Sequence, residues 1–333
     1  MPTLKDIANK LGVAPSTISK GLNGASDISE ELRQTILDTA VEMGYVTKKM
    51  KKEKHKKLCI LVENMSYERE EDFGYDLILG FKQMAQRDNW IVDILPVTPS
   101  FQANKKFDSY MLRQGYSGAF CMGFALHDPW MAQFYTSTTP VVLLDNYVPY
   151  NPNVTYVGTD SYEGLGLSVS HLASLGHRKI AFLNGSENSF ITEERRAAFI
   201  QSMQANGLTV DDNLNVYGYF VAEVAKHHVT DFLTQGATAI ICGNDLIASG
   251  VYNECRLLGC RIPEDVSVIG FDDIPIASSL NPPLTTVRQD RLQLGKSAYT
   301  TLEALVMRIP LSKTILRAQL ITRSSTGPVR ERN

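Results

Sequence analysis

Long apolar runs are missing from these 333 residues: none approaches the ~20 that a membrane-spanning helix needs. Cysteine is scarce. The five present (Cys59, Cys121, Cys242, Cys255, Cys260) are odd in number, irregularly spaced, and three sit in apolar strand-like runs. That pattern excludes a disulfide framework and suits buried, reduced thiols. The opening MPTLKDIANKLG is polar and amphipathic, without the apolar segment of a signal peptide, so a cytoplasmic location is expected. Catalytic signatures are lacking too. There is no Gly-x-Ser-x-Gly elbow and no paired-carboxylate pattern. Leu294-Gly295-Lys296-Ser297 imitates the tail of a phosphate loop, but the position that needs glycine is Asp290. His227-His228 and His171/His177 lack an i, i+4 metal spacing or a cysteine pair nearby. No enzyme activity, cofactor or metal is expected.

Net charge is small, −3 from 33 Lys and Arg against 36 Asp and Glu, but it is unevenly spread. Residues 1–57 carry eleven bases and seven acids, a surplus of four positive charges, and the remainder is left with seven negative. KKMKKEKHKK (48–57) concentrates seven lysines against one glutamate. Such a run is either a solvated, self-repelling linker or the arm of a polyanion-binding head.

The head itself favours the second reading. Thr3-Leu4-Lys5-Asp6 is a capping box, Leu4, Ile7, Ala8 and Leu11 form one apolar stripe, and Gly12 ends the helix. Pro15 fits the first turn of a second helix through Thr17, Ile18 and Leu22, which stops at Asn23-Gly24. Ser29 caps a third, with Leu32, Ile36, Leu37, Ala40 and Met43 at helical spacing. Two short helices across a tight turn, braced by a third, make a helix-turn-helix, whose second helix enters the major groove. Ser16 and Lys20 then project from one face toward base edges, while Thr17 and Ser19 suit phosphate. Asn23 either caps the helix end or touches the DNA backbone.

From Leu58 onward short apolar runs (58–62, 91–97, 118–123, 140–144, 179–183, 237–242, 266–271) alternate with amphipathic helical patterns. This argues for βαβ units and parallel sheets, too many for one sheet. Residues 152–157 read as a crossing between two lobes and Pro282-Pro283-Leu284 as the return, with a ligand cleft at the strand ends. Asp ending one strand, Asn ending another, a forked Arg195 donor and the apolar face of Phe220 form a carbohydrate-like set.

TLKDIANKLGVAPSTISKGLNG followed by ISEELRQTILDTAVEMGY closely resembles the headpiece of the Lac/galactose repressor (LacI/GalR) family. In the body GYSGAF, PVVLLDN, YVGTD, LASLGHRKIAFLNG, EERRAAF, AIICGND, IPEDVSVIGFDD and PPLTTVRQD resemble the same family's periplasmic-binding-protein-like core. The resemblance implies an all-α helix-turn-helix headpiece (1–47), a basic hinge or linker (48–57) and an α/β core of two doubly wound lobes (58–330). The N-lobe would span about 58–156 plus 287–315, and the C-lobe about 157–286 plus 316–330.

It further implies a homodimeric, effector-controlled transcription regulator, most simply a repressor, on a pseudo-palindromic double-stranded operator. Base reading would fall on Pro15, Ser16 and Lys20 with Thr3, Thr17, Ser19 and Asn23 in support, and effector contacts on Arg195, Phe220, Asn244 and Asp272. The tether departs from the family. It is about one helical turn short, with Lys in place of the wedge leucine, so Met50 either wedges the minor groove or Lys54 and its neighbours track phosphates. At Arg291, where some sugar-binding members have an aromatic, a charge means either a more anionic effector or a solvent-facing side chain. Asn64, Tyr67, Phe124, Asp145 and Asp160 lie near predicted strand ends and complete the candidate set. A sugar or sugar derivative is the expected effector. A purine or nucleoside sandwiched by Phe73, Phe124 and Phe220, or a phosphoprotein corepressor, is the alternative. An exported sugar-binding protein is disfavoured because it has no use for residues 1–45.

Overall fold

Thr3 starts the first helix. In the computed structural model of the chain, which describes residues 2–45 and 56–329, the Asp6 amide donates to Thr3 Oγ1 (3.3 Å) and the Thr3 amide donates to Asp6 Oδ2 (2.7 Å). This reciprocal pair satisfies two amides that the first turn of α1 (Leu4–Leu11) leaves open. The helix ends on Gly12 at φ +66°, where a side chain would be strained. α2 (Pro15–Leu22) begins on its proline, and α3 (Glu30–Glu42) is capped by Ser29 Oγ accepting from the Leu32 amide (3.2 Å). Ile7, Ala8, Ile18, Ile36 and Ala40 close a small core. α2 packs closely on α3 at Gly21, where a β-carbon would stand 2.5 Å from Ile36 Cδ1 and push that side chain aside.

The chain divides into two compact units. The first comprises Met1–Met65, Gly80–Val157 and Gly295–Thr314, so it includes the head. Its sheet has the order β11-β5-β4-β3-β1-β2, from β1 (Lys57–Val62), β2 (Ile91–Pro96), β3 (Ala119–Met122), β4 (Val141–Leu144), β5 (Val154–Thr159) and β11 (Lys313–Leu316). β1 to β5 pair in parallel. β3 and β4 are buried along their whole length, as strands covered on both faces must be. Around the sheet run the part of α4 (Phe73–Arg87) from Gly80 onward, α5 (Pro99–Ala103), α6 (Phe107–Gln114) and α7 (Pro129–Phe134). Phe107 packs edge-on against Trp130 (5.2 Å) and Phe134 (4.9 Å), an arrangement that aligns ring edges with ring faces.

The second unit, Ser66–Leu79, Gly158–Leu294 and Ile315–Asn333, has the sheet order β12-β10-β9-β8-β6-β7. Its strands are β6 (Ile180–Leu183), β7 (Asn215–Val216), β8 (Ala239–Cys242), β9 (Ser267–Asp272), β10 (Thr285–Arg288) and β12 (Gln319–Ile321), and β12 alone pairs antiparallel among the registers described. Its helices are α8 (Ser161–Ser174), α9 (Phe190–Ala205), α10 (Val229–Thr234), α11 (Asp245–Leu257) and α12 (Pro275–Ser279). Along β8, Ile240 and Cys242 join one apolar cluster and Ala239 and Ile241 the other, so the strand feeds cores on both faces of the sheet.

Two expectations need correction. Pro282-Pro283-Leu284 is not a return crossing: Leu284 is buried in the second unit's core and leads into β10, which pairs with β9 and β12 there. Chain return comes only within α13 (Arg291–Val306), at Gly295, so 287–294 belong to the second unit. Ser66–Leu79, read as N-lobe, also groups with the second unit.

Candidate effector and DNA-contacting sites

The exposed face of α2 carries Pro15, Ser16 and Lys20, with Thr17 and Ser19 half-buried beside them. Lys20 is not idle. Its ammonium pairs with Asp27, and that hydrogen bond holds the Asp27 carboxyl below the ordinary range. Both partners are exposed, and such pairs contribute little, so DNA can replace Asp27 at small cost. Asn23 Nδ2 donates to the Ser19 carbonyl (2.7 Å), the helix-end role rather than a free hand toward DNA. Thr3 is occupied as the α1 cap. Met50 and Lys54 lie outside the described residues.

In the first unit, strands β1, β3 and β4 each run into a left-handed turn, at Asn64 (φ +36°), Gly123 (φ +77°) and Asp145 (φ +51°). Gly123 is required by close approach, because a β-carbon there would fall 1.9 Å from the Glu63 carbonyl oxygen. Asn64 is exposed at this rim, and Asp145 accepts from the Tyr156 hydroxyl (3.5 Å). Phe124 is buried, wedged into the core cluster of this unit, so it offers no open aromatic wall. Sequence reading passed over Glu63, whose carboxyl is pushed up to about 7, first by burial and then by the nearby Asp128. Its only signal was position, immediately after a predicted strand.

The second unit gathers the richer set at the carboxyl ends of β8 and β9. Asn244 caps α11: its Oδ1 accepts from the Ile247 amide (2.8 Å) and its Nδ2 points to the Phe220 carbonyl (3.5 Å). The Phe220 ring lies so close over Gly185 that any β-carbon there would meet it at 2.1 Å. Arg195, from α9, is buried with its guanidinium 3.9 Å over the Phe271 ring, and Nη1 donates to the Gly243 carbonyl (2.6 Å). Its Nε has no hydrogen-bond partner, nor has Gln289 Oε1. Asp272 is buried at the end of β9 with φ +119° and accepts from Gln289 Nε2 (2.7 Å). Burial pushes its carboxyl up to about 6, opposed by the Arg195 charge.

Asp245, absent from the sequence-based set, holds this rim together. It is fully buried, and its two oxygens accept from Thr286 Oγ1 (2.6 Å) and the Ile274 amide (2.9 Å). Burial and the neighbouring Asp272 drive its carboxyl well above the ordinary value. The following turn is strained, with Asp272 and Asp273 (φ +55°) both at positive φ. It is pinned by the Ile274 bond and by Arg288 (2.7 Å) and Arg323 (2.6 Å) on Asp273.

Arg291 neither faces solvent nor offers a free positive charge. It forms an ion pair with Asp76 (2.8 Å) and donates to the Asp72 carbonyl (3.2 Å). Tyr67 is half-buried in the same unit, and Asp160 caps α8 by accepting from the Glu163 amide (2.9 Å). Among the described residues no group of three His, Cys, Asp or Glu could hold a metal ion, and no helix is long and apolar enough to cross a membrane.

Residues 3–48 match the family described as bacterial regulatory proteins, lacI family, and residues 169–326 match the periplasmic binding protein-like domain. The chain is 25% identical over 332 residues to the HTH-type transcriptional repressor CytR of Escherichia coli (strain K12), covering 97% of this chain and 96% of that protein. The transcriptional regulator CelR, solved as a cellobiose complex, superposes with a TM-score of 0.72 at 23% identity over 98% of this chain and 100% of that one. The Lac repressor dimer bound to operator and the anti-inducer ONPF gives 0.68 at 24% identity, over 98% and 99% of the two chains. At these identities the structural likeness establishes the fold.

Proposed function

The chain belongs to the lacI family of bacterial regulatory proteins, and from that premise we propose that it is a DNA-binding transcriptional repressor controlled by a small molecule bound to its core. The family consists of regulators, not enzymes. The chain would act in the cytoplasm as a homodimer on a two-fold-related operator, each head presenting α2 to one half-site. Lys20, released from Asp27, reads guanine O6 and N7, Ser16 bonds a base or phosphate, and Thr17 and Ser19 hold register. Effector and operator are linked, so each changes the other's affinity by the same factor.

The observation that supports a carbohydrate-like effector is the rim of Arg195, Asn244 and Asp272. A buried carboxylate acceptor stands with amide and guanidinium donors beside the partly buried Phe220 ring. Paired hydroxyls match such a set, since each can donate to Asp272 and accept from Arg195. CelR is a cellobiose-binding relative in fold. Two findings disfavour the alternatives. Phe124 is packed into the core, which removes one wall of an aromatic sandwich for a nucleobase. The ion pair of Arg291 with Asp76 removes the positive charge that an anionic effector would use.

Testing begins with an operator selected by the full chain from random duplex DNA. Lys20→Ala should weaken that operator about 10- to 100-fold, the worth of one bidentate base contact, and mixed-sequence DNA only slightly. Equal loss on both removes Lys20 from base reading. For the effector, sugars, glycosides, sugar phosphates and nucleosides are screened by thermal unfolding. A ligand at a hundredfold its Kd adds about 2.7 kcal/mol of stability. Asp272→Ala should abolish the shift while leaving DNA affinity intact, and a retained shift excludes Asp272 from the pocket.

A further inference from the structure

Helix α3 carries a second face that the head's own core does not use. Ile36 and Ala40 point into the small apolar cluster with Ile7 and Ile18, whereas Leu37 is 3% exposed without belonging to that cluster. On the same side stand Glu30, Gln34 and Asp38, at helical spacing. They meet α6. Asp38 accepts from Ser109 Oγ (2.5 Å), from the Lys106 ammonium (2.9 Å) and from Gln34 Nε2 (3.0 Å), and Glu30 pairs with Arg113. Ser109 is buried there, and burial of the Asp38 carboxyl is outweighed by its three donors, which hold it below the ordinary range. The contact combines a buried hydroxyl with two ion pairs on one carboxylate face, which distinguishes it from scattered surface charge.

The segment that joins head and core has little in its composition to carry orientation. Residues 46–55 offer only Val46 and Met50 as apolar side chains among five lysines, a self-repelling composition with little apolar surface to bury. We propose that α3 and α6 form a strut that seats the head on its own core, so that the direction of the reading helix α2 is set by this packed contact and not by the tether. α2 is joined to α3 through the buried cluster of Ile18 with Ile36 and Ala40, so the strut continues to the reading face. A shift of α6 is thereby delivered to the DNA-reading side chains by packing. The proposal rests on the DNA-binding reading of the head.

The test uses the full chain and two readouts, so that failure of each idea is distinguishable. Three variants are compared with wild type: Lys106→Glu/Arg113→Glu on the core side, Glu30→Lys/Asp38→Lys on the head side, and all four together, which restores the net charge. In the absence of DNA, amide exchange over 30–42 and 107–114 should rise about tenfold or more in either double variant and return toward wild type in the quadruple variant. Unchanged exchange in both double variants overturns the strut whatever the DNA result. The second readout is the affinity ratio for two equally long duplexes that carry the selected half-sites at the preferred spacing and at a spacing two base pairs longer. A ratio cancels net-charge effects on phosphate binding. Wild type should discriminate about tenfold or more, each double variant less than about threefold, and the quadruple variant should recover discrimination. Discrimination retained by the double variants overturns the orienting role. Failure of wild type to bind any duplex overturns the DNA-binding reading while the exchange comparison still decides the contact. Should Glu30→Lys/Asp38→Lys unfold the head, Lys106→Ala with Arg113→Ala, confined to the core side, decides the contact by the same exchange measurement.

Discussion

Replacing Thr286 by valine removes one hydroxyl and almost no volume, and it tests whether Asp245 is the clamp of the effector rim. Thr286 Oγ1 donates to Asp245 at 2.6 Å, both residues are fully buried, and the opposite carboxylate oxygen holds the Ile274 amide. The bond itself is worth about 0.5–1.5 kcal/mol, and leaving the buried carboxyl oxygen without its donor costs about 1–3 kcal/mol. For a unit of this size about 2 kcal/mol corresponds to a melting-point loss of roughly 4–8 °C. The pH dependence has a definite sign. The folded-state carboxyl of Asp245 is raised by burial and Asp272, and the Thr286 bond lowers it. A raised carboxyl contributes stability that is fully present below its ordinary pKa and is lost as pH rises through the folded value. Removing the bond raises the folded value further, so the deficit of Thr286→Val grows with pH. Thermal unfolding of the full chain followed by far-ultraviolet circular dichroism at pH 5.5 and pH 8 measures it. A midpoint unchanged at pH 8, or a larger loss at pH 5.5, refutes the clamp.

Three further outcomes are expected. Gly123→Ala sets a β-carbon 1.9 Å from the Glu63 carbonyl in a left-handed backbone, a clash with main chain that should destabilise by about 3 kcal/mol or more. Trp90 and Trp130 both lie in the first unit, so tryptophan fluorescence during urea unfolding reports it, and a wild-type transition would contradict the close approach. Asp272→Asn removes a carboxyl whose folded value is about 6. Wild type loses stability as pH rises through 6 and the asparagine variant does not. The difference between pH 4 and pH 7.5 should therefore favour the variant by at most about 3 kcal/mol, and a difference of opposite sign would show that burial is not the dominant influence on Asp272. Ser29→Ala removes the α3 cap and should lower head stability by about 1 kcal/mol, read from amide exchange over 30–42. Unaltered exchange would mean that the cap contributes nothing.

Much of this molecule was decided locally. The helices of the head follow from short-range chemistry: Thr3 with Asp6, Pro15 in a first turn, Ser29 as a cap and Gly12 as a stop act within a few residues of where they stand. Parallel strands buried on both faces also announce themselves as uninterrupted apolar runs, which is why LCILV and AIIC were legible as β1 and β8. Family resemblance added Arg195, Asn244 and Asp272 as residues worth examining, but not their hydrogen bonds or their protonation.

Long-range proximity decided the rest. Asp245 reads in sequence as one more helix-start carboxylate, and it is a clamp only because β10 and the turn after β9 bring Thr286 and the Ile274 amide to its two oxygens. Glu63 is an ordinary glutamate until the fold buries it near Asp128. Pro282-Pro283 has the composition of a crossing, yet Leu284 draws it into the second unit's core, since local stiffness gives no information about which sheet a strand joins. Arg291 could point anywhere from its sequence, and Asp76, over two hundred residues away, chose for it. Capping, turns and apolar periodicity are written in neighbouring residues and survive reading one chain at a time. Burial, ion pairing and carboxylate acidity depend on groups distant along the chain, so only the tertiary structure could determine them.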